Sequence, residues 1–400
     1  MNVKRLLVIY FITMAIVATV VFIIVLTSTD NKKIYGNKKH LGKNSQNIML
    51  KTYEYKTLKQ LLQYDRSSKD IILLKNNCFE YTLNKKDIDI SFGYGHNNTC
   101  CFPSRLDYFD ENIKEKVLIG YGSFGYVCKI KTTCCDSIYA MKETKLNKTE
   151  FFANEGFYNE ELYFSKFFQL NDLPHTVKSY HAYAYKTRIV VIYELLEKGD
   201  LQNISFAGNL YNEKKIRKYI NSLCLAIAIY HKHKIIHKDI KPENICIDSN
   251  NNLKIIDFGI STKDDSGYQK MYSLGGTIRY IPPEYLYFQT RMYYQTDWWA
   301  VGVLIYFLVE NKFPYTITSE DKPAEQIRKL KKTIENREFR EFTNKNINED
   351  LKDLIINLLE PDQDKRLGGN KQTYNDVLSH KYFRNENLKS ILNKYNYETI

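Results

Sequence analysis

The chain has 400 residues, of which 44% are hydrophobic, with 33 tyrosines and a formal net charge of +12 at pH 7. That length suits roughly two or three average domains, or one two-lobed enzyme with appendages, and it is ample for a large core. The charge would suit nucleic acid or an anionic membrane, but no nucleic-acid motif is present and the lysines are spread along the chain. A solvated basic surface accounts for it, and no nucleic-acid partner is expected. The cysteines (Cys78, Cys100, Cys101, Cys128, Cys134, Cys135, Cys224 and Cys246) contain no Cys-x-x-Cys spacing, which leaves a zinc site unsupported. In a reducing compartment they are free thiols.

Residues Leu6 to Leu26 form a run of 21 residues without a charge. A helix rising about 1.5 Å per residue would span the hydrocarbon core over that length. The run is longer than the apolar region of a cleaved signal peptide, so it predicts a retained anchor over residues 6–26. Lys32, Lys33, Lys38, Lys39 and Lys43 follow it, against Lys4 and Arg5 before it. Basic flanks stay cytoplasmic, which places the rest of the chain in the cytosol. Entry into the secretory pathway is the alternative, with Asn-x-Ser/Thr sequences at Asn97, Asn147 and Asn203. Residues 27–112 are polar, with no repeat and no readable chemistry; a short helix at 55–64 and a strand at 71–74 are the expected elements.

The pattern sharpens at Lys116. Apolar residues to Ile119 lead into Gly120-Tyr121-Gly122-Ser123-Phe124-Gly125-Tyr126-Val127. A dinucleotide-binding fold uses the same glycine spacing, but it requires a helix straight after the third glycine. Here an alternating, strand-like stretch follows, so a strand-turn-strand fits better. Lys142 lies behind an apolar triplet, and a helical stretch with Glu155, Glu160 and Glu161 comes next. Residues 188–196 read as a buried strand, and residues 214–234 as a core helix with apolar residues at three-to-four spacing.

That helix leads to HKDIKPENICIDSNNNLKIIDFG, from His237 to Gly259. Phosphoryl transfer needs a carboxylate to orient an attacking hydroxyl and oxygen ligands for magnesium. Asp239 suits the first task; Asn244 and Asp257 suit the second.

This stretch resembles the catalytic loop and metal-binding triplet of eukaryotic serine/threonine protein kinases. The closest likeness is to the AGC group, which includes the cyclic-nucleotide-dependent kinases. The resemblance extends over residues 113–383. It implies an α+β, bilobal fold, with a small antiparallel β lobe carrying one helix and a larger α-helical lobe. It implies ATP and Mg2+ as cofactors and protein substrates as partners. Ile119, Gly120, Tyr121, Gly122, Ser123, Phe124, Gly125 and Val127 would cover the nucleotide, and Lys142 would grip its phosphates. Glu160 is chosen as the partner of Lys142, because Tyr163 and Phe164 follow at helical spacing; Glu161 is the close alternative. Glu194 and Leu196 would present backbone groups to adenine, and Tyr193 would control access behind it. Lys241 would offset charge on the transferred group. Asp200 resembles a position that touches ribose and substrate.

Further along, Ser273 aligns with an activation-loop phosphosite, and Thr277 would contact Asp239 and Lys241. Asp297 would brace the catalytic loop, and Glu284 would pair with Arg366. Three departures stand out: Lys238 replaces the usual Arg before the catalytic Asp, Phe307 replaces a glutamate common in relatives that select basic substrates, and residues 384–400 carry no Phe-x-x-Phe ending. A membrane-tethered pseudokinase acting as a scaffold is the alternative function. Nothing in the residues sets an oligomeric state.

Overall fold

A computed structural model describes the backbone of residues 72–76, 79–83 and 89–93. It also describes residues 106–122, 125–133, 136–145, 155–185, 188–206, 212–263, 278–288, 293–317, 321–369 and 373–395. The apolar run at 6–26 and the helix expected at 55–64 lie outside the described residues. Among those residues, no helix is long and apolar enough to cross a membrane.

The small lobe begins with a hairpin of β1 (Ile72–Asn76) and β2 (Phe79–Leu83), followed by β3 (Asp89–Gly93) and a helix, α1 (Leu106–Glu111). The strands β4 (Ile113–Gly122), β5 (Gly125–Thr132) and β6 (Ile138–Lys145) precede α2 (Glu155–Leu170), and β7 (Ser179–Tyr185) and β8 (Arg188–Tyr193) follow it. Six of these strands form one antiparallel sheet in the order β3-β7-β8-β6-β5-β4. The expectation of a small antiparallel lobe holds, but β3 and α1 come from residues whose sequence signalled nothing.

Their contribution is physical. On one face of the sheet, Leu106 and Phe109 of α1 close over Cys128, Ile130, Tyr139, Met141, Tyr183, Val190 and Ile192. Phe109 stacks on Tyr183 with ring centroids 5.1 Å apart. The strand β8 is apolar almost without interruption because both of its faces are covered: α2 sends Phe164 and Phe168 into the main core on the other side.

The large lobe contains α3 (Leu201–Phe206), α4 (Glu213–Lys232), β9 (Ile235–Ile236), β10 (Ile245–Ile247), β11 (Leu253–Ile255), β12 (Thr262–Lys263), α5 (Pro283–Phe288) and α6 (Tyr294–Glu310). Asn212 caps α4 by accepting from the Lys215 N–H, and the predicted stripe from Ile216 to Tyr230 is buried. Every residue of α6 from Gln295 to Glu310 is buried, which makes it the central helix of this lobe. Around it lie α7 (Pro323–Glu335), α8 (Glu349–Leu358), α9 (Tyr374–Leu378) and α10 (Leu388–Lys394).

One buried pair locks this lobe. The Arg366 guanidinium, with no exposed surface, donates to Glu284 Oε1 at 2.9 Å and Oε2 at 2.8 Å and stacks over the Trp299 ring. Its fork satisfies both carboxylate oxygens, as a buried charge requires. Two residues on, Gly368 has a φ of +75°, and a Cβ there would meet the Trp298 ring at 2.3 Å. No other residue fits.

The cover formed by α1 predicts a cost. Phe109→Ala should lower the unfolding free energy by about 3–5 kcal/mol in urea titration. Leu170→Ala, at an exposed helix end, should change it by less than about 0.5 kcal/mol.

Candidate active site

Strand pairing brings the site together. In β6, Lys142 stands opposite Val127 of β5 and Val191 of β8, in the middle of the sheet. Its Nζ donates to Glu161 Oε2 on α2 at 2.9 Å and to Asp257 Oδ1 at 2.9 Å. The choice of Glu160 is therefore corrected: Glu161 holds the lysine. The reason is helix geometry. Glu161 shares a stripe with the buried Phe164, Ser165 and Phe168, which faces the sheet and Phe258, whereas Glu160 is turned toward Lys238.

Burial alone would lower the Lys142 ammonium, but the carboxylates of Asp257 and Glu161 outweigh it and hold it above the ordinary lysine range. Burial would likewise raise Asp257, and the Lys142 charge instead holds it below the ordinary carboxylate range. The trio needs room at Gly259, where a Cβ would stand 2.9 Å from Glu161 Oε2 and 3.3 Å from Asp257 Oδ1. Phe258 is fixed between Phe168, Tyr230 and His237, with ring centroids 4.4, 5.6 and 4.8 Å away.

Two short ladders align the second half of the cleft. Ile245 of β10 pairs with Ile255 of β11, which puts Asn244 and Asp257 at the same end of one hairpin. Ile236 pairs with Thr262, which brings the catalytic loop beside the Asp-Phe-Gly triplet. Within the loop, Asp239 Oδ2 accepts from Lys241 Nζ at 2.7 Å and from Asn244 Nδ2 at 2.8 Å. The buried Asp297 accepts from the backbone N–H groups of His237 and Lys238 at 2.9 and 2.8 Å, and pairs with His231 Nε2 at 3.0 Å. This brace holds Lys238 at a φ of 69°, and Asp257 at a φ of 63° stands across the cleft; both conformations persist only where surroundings impose them. Nothing in the sequence had singled out His231.

Of the residues expected to cover a nucleotide, Ile119 to Gly122 end β4, and Gly125 to Val127 begin β5; Ser123 and Phe124 lie outside the described residues. A Cβ at Gly125 would meet the Glu143 carbonyl oxygen at 2.1 Å, so this glycine is a packing requirement as well as a loop residue. Ile119 and Tyr121 are 51% and 81% exposed, on the open side of the sheet. At the junction between lobes, the Glu194 N–H is bound to the Lys178 carbonyl at 2.9 Å and its carboxylate to Lys254 at 2.9 Å. Two residues on, the Leu196 carbonyl accepts from the Gly199 N–H at 3.3 Å. Asp200 accepts from the Asn203 backbone and side chain, at 2.8 and 2.7 Å, and acts as a helix cap. Ser273 and Thr277 lie outside the described residues. Phe307 is buried and stacks on Phe313.

Asn244 and Asp257 offer hard oxygen atoms at one end of the cleft. Among the described residues no group of three or more His, Cys, Asp or Glu could hold a metal by themselves. Two oxygen side chains completed by substrate phosphates is a donor set that magnesium accepts.

A two-lobed cleft with a doubly paired lysine, a loop carboxylate and a second carboxylate beside it defines a phosphotransferase architecture. Comparison agrees: residues 113–383 match the protein kinase domain, and the chain belongs to that family. It is 34% identical over 224 residues to Developmentally-regulated protein kinase 1 of Dictyostelium discoideum, covering 56% of this chain and 29% of that protein. It is 28% identical to cAMP-dependent protein kinase catalytic subunit 2 of Drosophila melanogaster (71% and 76%) and 27% identical to cAMP-dependent protein kinase type 3 of Saccharomyces cerevisiae (69% and 66%). These relatives agree with the AGC likeness. The chain thus spans under a third of the first relative.

The misassigned acid has a measurable signature. Burial pushes Glu160 up to about 7, only partly offset by the Lys238 charge, and its Oε2 atom is buried without a hydrogen-bond partner. A raised carboxyl favours the folded state below its ordinary value of 4.5, and that contribution is lost as pH rises through about 7. In urea titrations from pH 5 to pH 8, Glu160→Gln should lose less stability with rising pH than the native chain.

Proposed function

We propose that the chain is an ATP- and Mg2+-dependent protein kinase that transfers the γ-phosphate of ATP to serine or threonine hydroxyls of protein substrates. The observation that carries this is Lys142 Nζ held 2.9 Å from both Glu161 and Asp257. A cation so placed suits the phosphates of a nucleotide, with the metal-ligand carboxylate within reach. The Lys-Pro-Glu-Asn sequence from Lys241 to Asn244 and the kinase names of the relatives support hydroxyl amino acids of proteins as acceptors.

In this reading Asp239 accepts the proton of the attacking hydroxyl, and the Lys241 ammonium beside it offsets negative charge on the transferred group. Bound magnesium would bridge and neutralise the phosphates, held by Asn244 and Asp257. Gly120, Gly122 and Gly125 let the backbone at the ends of β4 and β5 approach the phosphates closely. Because the Lys142 ammonium and the Asp239 and Asp257 carboxylates are all present, the chain lacks none of the groups whose loss would suit a scaffold without activity.

The same proposal extends to location. The uncharged run from Leu6 to Leu26 anchors the chain in a membrane, and the basic residues after it keep the catalytic domain cytosolic.

With radiolabelled ATP and a generic protein substrate, Asp239→Asn and Asp257→Ala should each lower transfer by about 10²–10³-fold or more. Full activity in either variant would remove the assignment. In intact microsomes, protease added outside should digest the catalytic domain; protection would overturn the cytosolic placement.

A further inference from the structure

The carboxylate that holds Lys142 is itself held from the other side. Tyr193, the last residue of β8, donates its hydroxyl to Glu161 Oε1 at 3.2 Å, while Glu161 Oε2 receives Lys142 at 2.9 Å. Each oxygen therefore has its own partner, one neutral and one cationic. With only one of them bound, the carboxylate could rotate about its last bond.

We infer that Tyr193 is a positioning residue for phosphoryl transfer, acting through Glu161 to aim Lys142. The inference rests on the kinase reading of the cleft and adds to it a link from the adenine side. Tyr193 immediately precedes Glu194, whose N–H is fixed on the Lys178 carbonyl, and its ring packs against the main core. The strand that ends in Tyr193 runs beside β6, with Tyr193 opposite Ala140 and Val191 opposite Lys142. One hydroxyl thus joins the end of β8, the sheet and α2 at the ion pair.

The chemistry keeps that hydroxyl a donor. Burial, then the charges of Glu161 and Asp257, push the Tyr193 phenol well above its ordinary range, so it stays protonated wherever the enzyme works. A second contact holds the same helix: Ser165 and Ser179 hydroxyls meet at 2.7 Å. That bond fixes the backbone of α2 but does not touch the carboxylate, so the two contacts are separable. A phenylalanine at 193 would keep the packing and leave Glu161 Oε1 without this donor.

The test compares Tyr193→Phe, Glu161→Gln and the double variant in the full chain. Hydrogen bonds to charged groups predict a fall in kcat/KM for ATP of about tenfold or more in Tyr193→Phe, beside a melting temperature lowered by a few degrees, because a buried carboxylate oxygen loses its donor. If the hydroxyl works through Glu161, the double variant should be no slower than Glu161→Gln alone. Native kcat/KM in Tyr193→Phe, or losses that multiply in the double variant, would overturn the inference.

A second readout needs no catalysis: acetylation of Lys142 by acetic anhydride, followed by peptide mass spectrometry with the exposed Lys178 as internal standard. A loosened pair leaves the amine more often clear of Glu161 and open to the reagent, so Tyr193→Phe should label Lys142 several-fold faster. An unchanged labelling rate would count against the role. Absence of transfer in the native chain would instead remove the kinase reading, and the labelling comparison would still decide whether Tyr193 orients the pair.

Discussion

A single ammonium group, that of Lys142, is the point on which the cleft closes. Taking a cation and two carboxylates out of water costs several kcal/mol per charge, and their attraction offsets this only when the geometry is tight and the remaining lone pairs are satisfied. Here both distances are 2.9 Å, and the second oxygen of Glu161 is filled by Tyr193. The three charges come from β6, from α2 and from the loop after β11. Each element must be in place for the other two charges to be tolerable, so the pair reports on the alignment of both lobes.

The large lobe meets the same demand with backbone donors. Asp297 sits in a helix buried from Gln295 to Glu310 and binds two successive N–H groups of the catalytic loop. Burial would raise its carboxyl, but the His231 hydrogen bond and the nearby histidines outweigh that and hold it low. A rigid buried helix can thus impose the left-handed conformation seen at Lys238, and Asp239 leaves it in a fixed direction toward Lys241 and Asn244. Beside the same helix, the Glu284–Arg366 pair secures α5, and the Arg366 guanidinium also donates to the Gln295 carbonyl of that helix at 3.3 Å.

Much of this site was legible in the sequence because its chemistry demands particular residue types at fixed spacings. Asp239, Asn244 and Asp257 fall in the cleft because short ladders, Ile236 with Thr262 and Ile245 with Ile255, convert sequence spacing into spatial proximity, and Lys142 joins them through the pairing of β6 with β5 and β8. The choice between Glu160 and Glu161 failed for a definite reason. Adjacent helix positions differ by about 100° in direction, and aromatic neighbours at three and four residues flank both. Only the identity of the fully buried stripe, 161–164–165–168, separates them, and that depends on what α2 packs against. Likewise Asp200 reads as a ligand group until its oxygens are seen capping α3. The strand β3 and the helix α1 were invisible because a short edge strand and a six-residue helix carry too few periods to stand out from polar sequence.

Those late-appearing elements are not peripheral to the chemistry. Along β6 the side chains alternate, so Lys142 faces the cleft while Met141 and Glu143 face the opposite side of the sheet. Met141 is part of the cluster that Phe109 closes, and Glu143, 1% exposed, receives Arg188 at 3.1 Å. Arg188 in turn reaches Asp110 of α1 at 2.8 Å. The strand carrying Lys142 is therefore clamped from behind by a helix that precedes the family's boundary at residue 113. A sheet held on one face only would let β6 shift, and a shift of one ångström at Lys142 is enough to degrade a site that works by positioning. The helix α1, which the sequence left without a role, is on this geometry part of the platform on which Lys142 stands.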